Sequence, residues 1–232
     1  MLSFVRTLCV VLLPLLCACG TKNAQRKVQR PISFDAAKAA AGKHIYYDHR
    51  ITFYCGCKYN KAGVIDPTSC GYSARRSAVR GARLEWEHIV PAAAFGTHRI
   101  CWKACPGLNG RLCCRKTDPE FRRMEADLMN LVPAVGELNG DRSNRPYGIV
   151  DGEPRVYGSC DFEIDFKKDI VEPAESIRGF IGRTYLYMVK TYKKGLPLSA
   201  EQLNMFQDWA ATHPPTDWEK EREERILKIQ GQ

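Results

Sequence analysis

The chain has 232 residues, 44% of them hydrophobic and 26% charged. That balance excludes a disordered tail and allows one sizeable core or two small domains. The formal net charge of +9 fits a polyanionic partner (nucleic acid, an acidic membrane surface or an acidic polysaccharide) and a merely solvated basic surface equally well, so the motifs must decide.

At the N-terminus, Arg6 precedes an apolar run from Leu8 to Ala18. The run has signal-peptide length and is short for a membrane span. It ends Leu16-Cys17-Ala18-Cys19-Gly20, which resembles a bacterial lipobox. The resemblance implies acylation of Cys19, with Gly20 favouring the outer membrane; the alternative is an ordinary signal peptide that leaves Cys19 a spare thiol. The expected division is a signal peptide at 1–18, a polar tether at 19–32 and a folded domain at 33–232. Arg6 is the only charged residue of the first 18, so the basic excess belongs to the mature chain.

Phe34 to Gly42 is alanine-rich and predicts a short helix. Ile45 to Cys55 carries Tyr46, Tyr47, Ile51, Phe53 and Tyr54 and predicts a strand. Residues 57–72 predict a loop pinned by Cys70. Arg75, Arg76, Arg80 and Arg83 follow as a basic cluster suited to phosphate contact. A strand is expected around Trp86, ended by Pro91. Residues 99–115 predict a cysteine-dense loop. Helical spacing begins at Pro119 and is expected to end near Leu131, before Pro133 and Gly136. Asn139 to Asn144 predicts a turn, Tyr157 to Phe166 a short strand, and 174–190, 199–210 and 218–229 three helices. Few strands and several helices without βαβ alternation predict a single α+β domain.

Cys55, Cys57, Cys70, Cys101, Cys105, Cys113, Cys114 and Cys160 form an even set. In an exported domain they predict four disulfides. A zinc site is the rival, but the spacings give no pair of CxxC knuckles.

Glu85-Trp86-Glu87-His88-Ile89-Val90-Pro91 brings two carboxylates and an imidazole together. An imidazole can take a proton from water near neutral pH, and a carboxylate can hold a divalent cation. The combination points to metal-assisted hydrolysis with His88 as base. Residues 87 and 88 of a regular strand face opposite ways, so a shared site requires the strand to end or bulge there.

These residues, with Phe95-Gly96, Asp127-Leu128-Met129-Asn130-Leu131-Val132-Pro133, Gly136-Glu137-Leu138-Asn139-Gly140-Asp141-Arg142-Ser143-Asn144 and Arg183-Thr184-Tyr185, resemble bacterial endonuclease I over roughly 33–231. The resemblance implies a disulfide-stapled ββα-metal (His-Me finger) core in a periplasmic or extracellular protein; the lipobox adds an outer-membrane tether, and a monomer is expected. It implies Mg²⁺-dependent cleavage of DNA and RNA to 5′ phosphates, with Mn²⁺ or Ca²⁺ as substitutes. His88 would activate water, Glu87 and Asn130 would hold one Mg²⁺, and Arg111 would stabilise the phosphate, with Arg99 as its alternative. Glu85 would orient His88 or the metal's water, and Arg75, Arg76, Arg80 and Arg99 would contact nucleic acid. A non-catalytic DNA-binding lipoprotein is the competing class.

Overall fold

The computed structural model describes residues 31–152 and 154–231. The segments expected to be signal peptide and tether, with Cys19, lie outside the described residues except for residues 31 and 32. Ser33 caps α1 (Phe34–Ala40) by accepting from the Ala36 amide at 3.2 Å. The helix does not stop at Gly42 but widens into a π-turn over Ala41–Ile45. Next come β1 (Lys58–Tyr59), β2 (Ile65–Asp66) and α2 (Ala78–Gly81). They are followed by β3 (Leu84–His88), α3 (Ala92–Gly96), α4 (Gly110–Thr117) and α5 (Pro119–Glu125). The chain continues through β4 (Leu131–Val135), α6 (Gly136–Arg142), β5 (Phe162–Asp165) and β6 (Ile170–Pro173). It closes with α7 (Glu175–Tyr192), α8 (Ala200–Thr212) and α9 (Asp217–Gln230).

Among the described residues the strands form three separate antiparallel pairs: β1 with β2, β3 with β4, and β5 with β6. The α+β class is thus as expected, with helices dominating. All eight cysteines pair, as Cys55–Cys160, Cys57–Cys70, Cys101–Cys114 and Cys105–Cys113.

Four local expectations change. Residues 45–55 are not a strand, and only Ile51 forms an isolated bridge, to Lys58. Tyr46 and Tyr54 turn inward while Tyr47 stays exposed, the Phe53 amide makes a single bond to the Pro133 carbonyl at 2.8 Å, and the disulfides of Cys55 and Cys57 hold the chain in a turn. The loop expected at 99–115 contains α4, whose first turn is capped by Asn109. The helix expected to reach Leu131 stops at Glu125, after which the chain enters β4. Pro133 sits within β4 opposite Trp86; the ribbon has only two strands, so proline's missing donor falls on an outer edge. Finally, the turn expected at Asn139 to Asn144 is helical as far as Arg142.

The β3–β4 ribbon separates two clusters of buried residues. Val132 and Ala134 face the larger core, built mainly with β5, β6, α7 and α8. Leu131 faces the smaller one, with Ala37, Ala41, Ile226 and Ile229 from the two ends of the chain. The fully buried Arg222 of α9 bonds the Tyr46 hydroxyl at 2.6 Å and the carbonyls of Leu128 and Leu131 at 2.7 and 3.2 Å. It fastens the C-terminal helix behind the ribbon.

Candidate active site

The register of β3 on β4 is unbroken from Leu84↔Val135 to His88↔Leu131. Of the two expected ways for residues 87 and 88 to meet, a bulge is absent and the strand end is present: β3 stops at His88. Among the described residues its outer edge also has no neighbouring strand. A cavity of about 600 Å³ lies along that edge and is lined by Glu85, Glu87 and His88. Phe34 and Lys38 of α1, Arg111 of α4, and Asn139 and Arg142 of α6 complete its principal walls.

His88 is buried, and its Nε2 lies 2.8 Å from the Glu125 carbonyl oxygen. A carbonyl can only accept, so Nε2 carries the proton and Nδ1 keeps its lone pair. The Phe34 ring packs on the imidazole with centroids 4.6 Å apart. Burial, aided by the nearby Arg111 cation, lowers the imidazole pKa to about 4. The ring is therefore neutral, and able to accept a proton, at pH 7.

Glu87 is also buried. Its Oε1 accepts from the Tyr54 hydroxyl at 2.7 Å and lies 3.1 Å from Arg142 Nη1. Burial raises its pKa, while Arg142 and Tyr54 oppose the rise. Arg142 is fully buried and donates to the carbonyls of His88 and Ile89 at 2.9 and 2.7 Å. It thus balances the Glu87 charge and fixes the end of β3. Removing one partner of such a buried pair leaves an uncompensated charge, which is the expensive case.

Of the two roles expected of Glu85, orienting His88 is not seen: its partners lie elsewhere. Arg80 grips it at 3.0 and 2.8 Å, Arg83 at 3.1 and 2.9 Å, and Asn139 Nδ2 donates to it at 2.9 Å. Glu85 therefore orients Asn139. The amide nitrogen is committed, and Asn139 Oδ1 has no partner among the described residues. Gly140 makes room for this grip, because a Cβ there would overlap the Arg80 guanidinium.

Asn130 requires the main correction. It is fully buried and does not line the cavity. Its Oδ1 accepts from the Val90 amide at 2.7 Å, and its Nδ2 donates to the Val90 carbonyl at 2.9 Å. Both polar ends of the side chain are thus spent on clamping the segment after β3.

Arg111 donates through Nε to Glu125 Oε1 at 2.5 Å, and its Nη2 is buried without a hydrogen-bond partner. An orphan guanidinium nitrogen beside the cavity suits an incoming phosphate oxygen. Arg115 holds the other Glu125 oxygen at 2.6 Å. Glu125 therefore positions the imidazole through its carbonyl and Arg111 through its carboxylate. Sequence reasoning missed it, since a glutamate at a helix end carries no local signal.

Of the arginines expected to contact nucleic acid, Arg80 lines the cavity but is bound to Glu85. Arg75 is held by Asp141 at 2.8 Å, while Arg76 is exposed. Arg99 is a correction: its guanidinium bonds the Phe95 carbonyl, Asp118 and Glu120 at 2.7, 2.9 and 3.0 Å. It braces α3 against α5 and is not one of the cavity residues.

Among the described residues no three His, Cys, Asp or Glu side chains group to hold a metal. Glu85, Glu87, Asn139 and Asn144 bring side-chain oxygens to the cavity lining, and of the two carboxylates Glu85 is already held by Arg80 and Arg83. An all-oxygen set this sparse does not resemble a zinc site; it fits a hard cation that keeps most of its water.

A family model described as Endonuclease I matches residues 33–232. The chain belongs to the endonuclease I family. It is 45% identical over 203 residues to an extracellular deoxyribonuclease of Aeromonas hydrophila, covering 86% of each chain. It is 46% identical over 183 residues to Endonuclease-1 of Buchnera aphidicola subsp. Acyrthosiphon pisum, covering 78% of this chain and 70% of the relative. A periplasmic deoxyribonuclease of A. hydrophila is 44% identical over 209 residues, 88% of this chain and 85% of the relative. This endonuclease I is an exported enzyme, in keeping with its four disulfides.

Proposed function

We propose that this endonuclease I is a Mg²⁺-dependent enzyme that hydrolyses the phosphodiester bonds of DNA, and of RNA, to 5′ phosphates. The observation that carries the reading is the convergence of His88, Glu87, Asn139 and Arg111 on one cavity, with His88 Nε2 already committed to a carbonyl. In this reading β3, β4 and α6 are the two strands and helix of a ββα-metal core. Asn139 takes the ligand place expected of Asn130, because it lies on the helix after the second strand.

His88 Nδ1 takes the proton of the attacking water as the water oxygen bonds to phosphorus; the bond from phosphorus to the 3′ oxygen breaks, and that oxygen leaves as a hydroxyl with a proton from solvent. Glu125 keeps the imidazole in that tautomer and angle. Arg111 Nη2 donates to a nonbridging oxygen as negative charge builds on phosphorus. Glu87 and Asn139 Oδ1 hold the cation, which when bound supplies a Lewis acid to the phosphate oxygens. Recognition through phosphate carries little base information, so cleavage is nonspecific in sequence and sugar.

Plasmid nicking tests the reading. The wild type cuts with Mg²⁺ and stops in EDTA, while His88→Ala binds DNA without cutting it; full nicking by His88→Ala removes the base. The tether is a separate proposal: palmitate label is incorporated at Cys19 and lost in Cys19→Ser, and an unlabelled wild type refutes it.

A further inference from the structure

Beside the catalytic cavity lies a second groove of about 460 Å³, and Lys38, Leu84 and Trp86 line both. The two differ sharply in charge. The catalytic cavity carries Glu85 and Glu87. The groove is lined by Lys38, Lys43, Arg50, Lys61 and Arg83 and by no carboxylate. Lys38 pairs with the exposed Asp35 at 2.8 Å, and Arg83 is drawn to Glu85. Lys43, Arg50 and Lys61 have no ion-pair partner among the described residues.

The fold brings these three cations to the lining of one groove. Lys43 sits on the π-turn after α1. Lys61 rides a tight loop in which Asn60 Oδ1 accepts from the amides of Ala62 and Val64 at 2.9 and 3.0 Å. Arg50 stands between them on the segment leading to β1. Trp86 is braced edge-on by Tyr46, with ring centroids 5.6 Å apart. Unneutralised cations held close together repel one another, and a polyanion relieves that repulsion.

We propose that this groove carries the nucleic-acid strand flanking the scissile bond, with Lys43, Arg50 and Lys61 on successive backbone phosphates. The inference rests on the nuclease reading, because the groove borders the cavity that takes the cleaved phosphate and shares Lys38, Leu84 and Trp86 with it. It assigns substrate binding to residues outside the arginine cluster at 75–83.

The test is fluorescence anisotropy of a fluorescein-labelled oligodeoxynucleotide in EDTA, so that binding is read without cleavage. The wild type is compared with Lys43→Gln/Arg50→Gln/Lys61→Gln and with a charge-matched control, Lys190→Gln/Lys220→Gln/Lys228→Gln, whose positions are exposed and outside both cavities. Three lost phosphate contacts make the plot of log affinity against log salt shallower by about 2 and weaken low-salt binding by about tenfold or more. The control retains the wild-type slope. An unchanged slope in the groove variant, or an equal loss in the control, overturns the proposal. Melting curves confirm that both variants fold. Mg²⁺-dependent nicking by the wild type separately tests the nuclease reading: binding that responds as expected without any nicking sinks that reading and leaves the groove standing.

Discussion

Two asparagines nine positions apart offer the sharpest test of how this site is built. Asn130 is fully buried and satisfies both polar groups of Val90. Alanine there leaves a buried amide and a buried carbonyl unpaired, each at about 1–3 kcal/mol. A loss of about 3 kcal/mol lowers the melting temperature of a domain this size by about 6–12 °C. Asn139 is only half-buried and makes one side-chain bond, to Glu85. Alanine there costs about 1 kcal/mol of stability but removes a proposed cation donor. Thermal melts and Mg²⁺ titrations of plasmid nicking separate the two. Asn130→Ala melts early, and what remains folded has the wild-type Mg²⁺ requirement. Asn139→Ala melts almost normally and needs far more Mg²⁺ or fails. A shifted Mg²⁺ curve in Asn130→Ala with an unchanged melt would refute this reasoning.

Glu125→Gln loosens Arg111 and Arg115 while leaving the carbonyl on His88, and should lower kcat by about 10–100-fold with a smaller change in KM, measured by steady-state oligonucleotide cleavage. Glu137 accepts from the Tyr72 hydroxyl and from the amides of Arg75, Arg76 and Ser77. Despite the opposing effect of burial, these bonds hold its folded pKa below the ordinary value of 4.5. Its contribution is therefore present above that value and lost as pH falls through the folded pKa. Glu137→Gln should flatten the acid limb of stability against pH in denaturant titrations, and an unchanged limb would count against it. The Cys55–Cys160 bridge spans 105 residues and Cys105–Cys113 spans 8. Chain entropy assigns them about 4.7 and about 2.5 kcal/mol, so paired Cys→Ser variants should melt in that order, the long-range pair first.

Much of the site was legible because its chemistry is concentrated in sequence. Glu85, Glu87 and His88 fall within four residues, and the eight cysteines signal their pairing by number. The geometric objection to Glu87 and His88 sharing a site was sound in principle; a strand with one open edge answers it, and edges depend on which strands pair. Asn130 drew the ligand expectation because it sits in a recognisable motif beside an expected helix end. The helix in fact stops at Glu125, and β4 intervenes. The helix that follows the second strand is α6, and it carries Asn139. Reading Asn139 to Asn144 as a turn hid that alternative. Pro133 masked β4, since proline argues against a strand unless its nitrogen faces outward. Glu125 and the Lys43–Arg50–Lys61 groove could not be read at all: the first acts partly through a backbone carbonyl, and the second depends on how the π-turn after α1 and the irregular segments around Arg50 and Lys61 fold onto one face.

The central claim is that Glu87 and Asn139 hold one divalent cation beside His88. Anomalous diffraction from crystals soaked in Mn²⁺ tests it most directly. The account predicts a single peak bonded to a Glu87 carboxylate oxygen and to Asn139 Oδ1, at about 2.0–2.2 Å as for other small hard cations. A peak elsewhere, or none at a concentration that supports cleavage, would contradict it.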